Sequence, residues 1–263
     1  MIDVRGKSIS LDDPKLLIPM GLFEGVSAIH VFGRNRNCAD AAEENVYSVE
    51  NAATFPATAL MTSISQTTDA ADVRGENVII EGVDVNWNAV TQTGIIDASD
   101  STVKVVLGTA LLRVNSMRMS ADTVIATTVR LHNVGETTDY AIILVGEERS
   151  TQAHYAVPLG FTAYMTNWWA HRNLSAIVAA DVVDFQLYEQ DWAHADDPRR
   201  QLVESLQIEP LHEGGILRRK FSPYRKFGPQ TDITITASAV STVADVSAGF
   251  DLILVKDSLY ATA

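Results

Sequence analysis

An all-β chain is expected here, folded as an antiparallel β-sandwich of jelly-roll-like form with one or two short helices. Three features of the sequence lead to that class. Two stretches alternate apolar and polar residues with period two. Many further short runs rich in Val, Ile, Thr and aromatic residues recur at near-regular spacing, and few stretches carry a helical repeat. Alternating strands and helices would instead have pointed to a parallel sheet.

Taken in order, the first ~25 residues show little periodicity, and residues 1–30 are expected to form an arm that docks on a neighbour rather than on the core. A single sandwich domain then spans residues 31–263. The first β-rich run along the chain is Val26–Phe32, which straddles that boundary, followed by a candidate helix from Asn37 to Tyr47 with Asp40 as cap, and by a strand at Ala57–Ser65. From Ile79 to Ala89, Val83, Val85, Trp87 and Ala89 alternate with Asp84, Asn86 and Asn88, the pattern of one half-buried strand. Val103–Leu107, Leu111–Met119, Val124–His132, Tyr140–Val145, Ala153–Val157, Phe161–Ala170 and Ile177–Tyr188 continue the series. Pro198 to Leu206, behind Asp196 or Asp197, is a second candidate helix. Strands resume at Ile216–Phe221, and Ile233, Ile235, Ala237 and Ala239 then alternate with Thr234, Thr236 and Ser238 before a last strand at Phe250–Val255.

Composition narrows the function classes. The 263 residues are 46% hydrophobic and 20% charged, enough to bury a sizeable core and too apolar for a disordered tail. With 20 Lys and Arg against 33 Asp and Glu the formal charge is −13, which speaks against a general nucleic-acid binder and against attachment to anionic membranes. Cys38 is the single cysteine, so an internal disulfide and the zinc-finger and redox spacings are excluded. Asp3, Arg5, Lys7, Asp12 and Asp13 interrupt the start, so no secretion signal is expected. Tyr140 to Gly146 is too short to span a bilayer, and Ser150 to Ala170 is broken by Gln152, His154, Pro158, Gly160 and Asn167.

Catalytic patterns are missing. No glycine-rich loop follows a strand to cradle a phosphate, and no serine sits on a glycine-flanked elbow. Cys38 lies beside Asn37 and Asp40, and a negative neighbour raises a thiol pKa, so it reads as structural rather than nucleophilic. His194 with Asp191, Asp196 and Asp197 comes nearest to a metal cluster, against the plainer reading of a polar loop that caps the following segment. His30, His132, His154, His171 and His212 lack ligand spacing, and no carboxylate pair stands out for glycoside chemistry. The chain is therefore expected to be no enzyme, with no cofactor and no catalytic or metal-binding residues. Trp87, Trp168, Trp169 and Trp192 are candidate stacking platforms for carbohydrate, and alternation along a strand turns one ring of Trp168-Trp169 inward and the other outward.

Charge is divided along the chain. Arg199 to Lys226 holds seven basic residues against three acids, a local balance of +4 that leaves −17 elsewhere. Phe221, Tyr224 and Phe227 are interleaved with these cations. One reading is a clasp that meets an acidic surface of another copy; another is a solvated loop whose charges pair internally; a third is a nucleic-acid patch, disfavoured by the acidity of the rest. Trp168, Trp169, Arg218, Arg219, Tyr224 and Arg225 are the candidate contact residues.

A family resemblance adds to this. Phe32-Gly33-Arg34-Asn35, Phe55-Pro56-Ala57-Thr58-Ala59, Val78-Ile79-Ile80-Glu81-Gly82-Val83-Asp84, Leu112-Arg113-Val114-Asn115, Pro158-Leu159-Gly160-Phe161-Thr162-Ala163-Tyr164 and Pro229-Gln230-Thr231-Asp232-Ile233 run in an order that resembles virion structural proteins of tailed bacteriophages, especially marine ones. The resemblance covers most of the chain from about Phe32 onward and rests on the order of the motifs, none of which is specific alone. It implies a virion part assembled in the host cytoplasm: capsid decoration or cement, or a neck or tail component. Its partners would be copies of itself, as a homo-oligomer, and other virion proteins of the capsid, portal or tail, without nucleic acid or membrane. The alternative is a receptor- or glycan-binding module of a phage fibre, using Trp87 or Trp192.

Overall fold

The computed structural model describes residues 17–38, 42–47, 56–71, 73–120, 125–173, 182–193, 200–208, 216–239 and 244–259, and the backbone of 2–4 and 7–9. Among them nearly everything regular is antiparallel strand, which makes the protein an all-β sandwich. A short hairpin, β1 (Ile2–Val4) and β2 (Lys7–Ile9), comes first.

Eight strands form the larger unit: β3 (Val26–Cys38), β12 (His154–Ala156), β13 (Phe161–Asn173), β14 (Val183–Asp191), β15 (Arg200–Ile208), β16 (Ile216–Phe227), β17 (Thr231–Ala239) and β18 (Ala244–Lys256). One sheet runs β16-β13-β18-β3 and the other β12-β17-β14-β15, with β4 (Glu44–Asn45) added alongside β17. Numbered one to eight in chain order, the first strand pairs with the eighth, the second with the seventh, the third with the sixth and the fourth with the fifth. This is a long hairpin wrapped into two sheets, the jelly roll. Twenty-five buried residues, among them Trp168, Phe185, Phe227, Ile235 and Phe250, fill the space between the sheets.

A second lobe is inserted between the first and second of these strands. It consists of β5 (Met61–Gln66), β6 (Asn77–Val83), β7 (Ala89–Ile95), β8 (Val105–Leu111), β9 (Arg113–Met119), β10 (Val129–His132) and β11 (Asp139–Ile143). Its sheets run β11-β10-β5-β8 and β7-β6-β9, and they enclose a separate core of seventeen buried residues that includes Ile64, Ile80, Leu111, Met117 and Leu131. A third cluster of only four buried residues, Val83, Trp87, Leu112 and Ala156, joins the two lobes. So few apolar side chains, at ~1.5–3 kcal/mol for each large one fully buried, leave room for polar contacts to matter at the joint.

Several expectations need correction. Arg200–Ile208 is strand β15, where a helix over Pro198–Leu206 was expected; the residues pair with β14 along its whole length, and that ladder overrides the weak capping signal. The candidate helix over Asn37–Tyr47 gives way to the end of β3 and to β4, with residues 39–41 outside the described set. The single strand over Ile79–Ala89 is a hairpin instead. β6 stops at Val83, and Asp84 Oδ1 accepts the backbone N–H of Asn86 and Asn88 at 2.8 and 2.9 Å, so these polar residues build a turn rather than a solvent face. Phe161–Asn173 and Ile216–Phe227 run longer than expected, while the strand expected over Ile177–Tyr188 is described only from Val183. In β17 the alternation holds but its meaning differs: Asp232, Thr234 and Thr236 are nearly as buried as the isoleucines between them, because Asp232 lies in the joint while Tyr47 and Glu43 beside β4 meet Thr234 and Thr236. Among the described residues no helix is long and apolar enough to cross a membrane.

Candidate functional site

The contact residues expected from the sequence lie on or beside the open edge of the jelly roll, where β16 has a partner on one side only. Alternation sorts its side chains. Arg219 pairs with Trp168 and Arg225 with Met165 across the β13–β16 ladder, so both face the space between the sheets. From there Arg219 Nε reaches Glu204 Oε1 at 3.0 Å and Arg225 Nη2 reaches Glu189 Oε1 at 2.8 Å, which ties β16 to the opposite sheet. Arg218 pairs with Trp169 and Lys226 with Tyr164, and these face outward with Lys220. None of the three forms a salt bridge among the described residues, although the Arg218 charge helps to lower Asp251, and Tyr224 beside them is 48% exposed.

Trp168 is removed from the contact surface: its ring is fully buried in the core, and its Nε1 donates to Glu204 Oε2 at 2.9 Å. Trp169 is the outward ring of the pair. It is half-buried and stacks on Phe32 with centroids 5.9 Å apart.

The joint between the lobes holds a buried ionic network that no sequence motif announces. Arg113 of β9 and Asp232 of β17, both 1% exposed, meet at 2.8 Å between Nε and Oδ2. Arg113 Nη1 also donates to the carbonyls of Pro56 and Leu112 at 2.7 and 2.8 Å. Asp232 receives Trp192 Nε1 at 2.8 Å on Oδ2, and His154 Nε2 lies 3.0 Å from Oδ1. The guanidinium sits 5.4 Å from the ring centroid of Trp87 and 5.2 Å from that of Trp192, each within cation–π range. Burial alone would raise the Asp232 carboxyl, but the His154 hydrogen bond and the nearby charges of His154 and Arg113 outweigh it and hold it below the usual carboxylate range. Gly82 on β6 makes the approach possible: a Cβ there would lie 2.1 Å from the Arg113 carbonyl oxygen. Trp87 and Trp192, expected as sugar platforms, each spend a ring face on Arg113.

Beside the joint, a cleft of about 410 Å³ opens between edge strand β3 and the β7-β6-β9 sheet. Phe32, Glu81, Ser116, Arg118 and Arg149 are among its walls. Ser116 Oγ donates to Glu81 Oε2 at 2.8 Å. Asn115 fastens this wall to β12, donating to the Ala156 carbonyl at 3.0 Å and accepting its N–H at 2.8 Å. Burial, and secondarily the Glu81 charge, push the Tyr155 phenol above its usual value.

Of the metal-like cluster, Asp191 Oδ1 accepts the Ala193 N–H at 2.8 Å, while His194, Asp196 and Asp197 lie outside the described residues. Among the described residues no group of three or more His, Cys, Asp or Glu is arranged to hold a metal. Cys38 is buried, and burial followed by the Glu44 charge pushes its thiol up to about 12, far from the thiolate a nucleophile needs. In comparisons with known proteins, no family model and no curated protein matches the chain.

Proposed function

We propose that the chain is a structural component of a tailed-phage virion, a capsid decoration or a neck or tail part, that works through self-assembly and contacts with other virion proteins. The observation that carries this reading is the outer face of β16: among the described residues Lys220 and Lys226 form no salt bridge, and Arg218 acts on the Asp251 carboxylate only from beyond ion-pair distance, at a sheet edge of a chain whose net charge is −13. Such a face complements the acidic remainder of a second copy, and a neighbour laid along it would cover both the cations and the unpaired strand edge. Ile216 and Tyr224, 63% and 48% exposed, supply apolar area there. A second apolar group, Met20, Leu22 and Phe23, is exposed on the segment before β3, which fits an arm that packs on a neighbour. Jelly rolls serve as shell subunits and as lectins, so the architecture is compatible with a virion part without selecting one.

Light scattering on the purified chain tests the proposal. A molar mass that is a multiple of 28.6 kDa at low salt, falling at high salt and in an Arg218→Glu/Lys220→Glu variant, is expected. A concentration-independent monomer, together with absence of the chain from purified particles by mass spectrometry, overturns it. Copy number per particle, from quantitative gel densitometry, then separates a many-copy decoration protein from a neck or tail ring.

A further inference from the structure

The cleft beside the joint carries a feature that assembly does not use. Arg118 of β9 and Arg149 face each other as partners in an antiparallel bridge. The bonds that flank them run from Met119 N to Glu148 O and from Ser150 N to Met117 O, both 2.8 Å. That pattern puts the two arginines at a non-hydrogen-bonded position, where facing Cα atoms approach to ~4.5 Å. Like charges directly opposed in this way are destabilising. Other arginines among the described residues meet acids instead: Arg36 meets Glu147, Arg34 meets Asp245, and Arg130 lies between Glu136 and Asp139. Arg118 and Arg149 both line the cleft, both are exposed, and neither has an ion-pair partner among the described residues. Two arginines on facing positions of one cleft, neither in a salt bridge, supply two forks of N–H donors, the groups that take a carboxylate or another oxyanion.

The other walls narrow the choice of anion. Glu81 adds a carboxylate to the same sheet face, which repels a dianion such as phosphate and offers an acceptor for hydroxyl groups; Ser116, bonded to it, can both donate and accept. Phe32, backed by the ring of Trp169, gives an apolar wall. The volume, about 410 Å³, lies in the range of small-ligand pockets. We infer that the cleft binds a sugar acid, a uronic acid residue whose carboxylate spans Arg118 and Arg149, whose hydroxyls meet Glu81 and Ser116, and whose ring lies against Phe32. The site belongs to one copy of the chain, so it is tested independently of whether the chain assembles.

Isothermal titration of the full chain with D-glucuronate, D-glucose and inorganic sulfate is the test. Glucuronate binds saturably and at least about tenfold more tightly than glucose or sulfate, and Arg118→Ala or Arg149→Ala each weakens it about tenfold or more. Arg118→Lys and Arg149→Lys, which keep the charge, also weaken glucuronate because an ammonium lacks the planar fork; they carry the test should the alanine variants fail to fold by circular dichroism. Glu81→Gln weakens glucuronate while strengthening sulfate. Undetectable glucuronate binding, equal affinity for glucose, equal affinity for sulfate, or arginine variants that bind as the parent does each overturn the inference.

Discussion

At the joint between the lobes and at the open edge of the jelly roll, an arginine meets a carboxylate at nearly the same distance, 2.8 Å for Arg113–Asp232 and 3.0 Å for Arg219–Glu204. The surroundings differ. Arg113 and Asp232 are 1% exposed, and Pro56, Leu112, Trp192 and His154 meet further donors and acceptors of the pair. The Arg219 side chain is 61% exposed, so water competes for it. Distance therefore says little about what each pair contributes. A buried pair must offset the desolvation of both ions through a complete set of partners, and removal of one ion strands the other; an exposed pair gains little and loses little.

The largest effect is expected from breaking the joint. Arg113→Ala leaves Asp232 charged and buried, at a cost of about 3–5 kcal/mol in urea unfolding, and separates the melting of the two lobes. Loss of less than about 1 kcal/mol would show that the lobes are held by their apolar cluster instead. Trp192→Phe is milder: it keeps the ring over Arg113 but removes the donor to Asp232, for about 1–3 kcal/mol in the same measurement.

Acid sharpens the contrast. Because the native Asp232 carboxyl titrates below its usual range, the stability it confers is present above about pH 4 and is lost as the pH falls from there through the native value. The gap in melting temperature between the parent chain and Asp232→Asn is expected to narrow below that pH, and a constant gap would count against the network. Cys38 is expected to resist iodoacetamide at pH 8 in the folded chain and to react once it is unfolded, since the native thiol is buried and pushed up to about 12. The smallest effect belongs to the open edge. Arg219→Ala costs about 1 kcal/mol or less, and a larger loss would mean that this pair and the Trp168 hydrogen bond to Glu204 act as one unit.

The two regions also differ in how far they could be read in advance. The basic face of β16 is legible as a charge run, and alternation places one of Trp168 and Trp169 inside, although it leaves open which one. Arg113 and Asp232 carry no such mark. They stand 119 residues apart in strands of different lobes, and each looks locally like an ordinary polar position. Trp87 is hidden for a related reason: Val83, Val85, Trp87 and Ala89 continue a period-two pattern through a hairpin turn, and periodicity alone does not register the Asp84 side chain closing that turn. Arg118 and Arg149 lie 31 positions apart in sequence, and only the pairing register sets them face to face.

Local chemistry by itself determined the all-β class, most of the strand positions, the buried isoleucine face of β17 and the division of charge, because side-chain alternation and β-propensity act over a few residues. Tertiary structure alone decided that strand one closes on strand eight, that the second lobe is inserted after β3, and that the Thr234 and Thr236 face is covered. It also decided that Arg200–Ile208 is a strand. Each of these depends on which distant backbone supplies the hydrogen bonds, and partner and register are set by the closure of the whole sandwich rather than by any window of sequence.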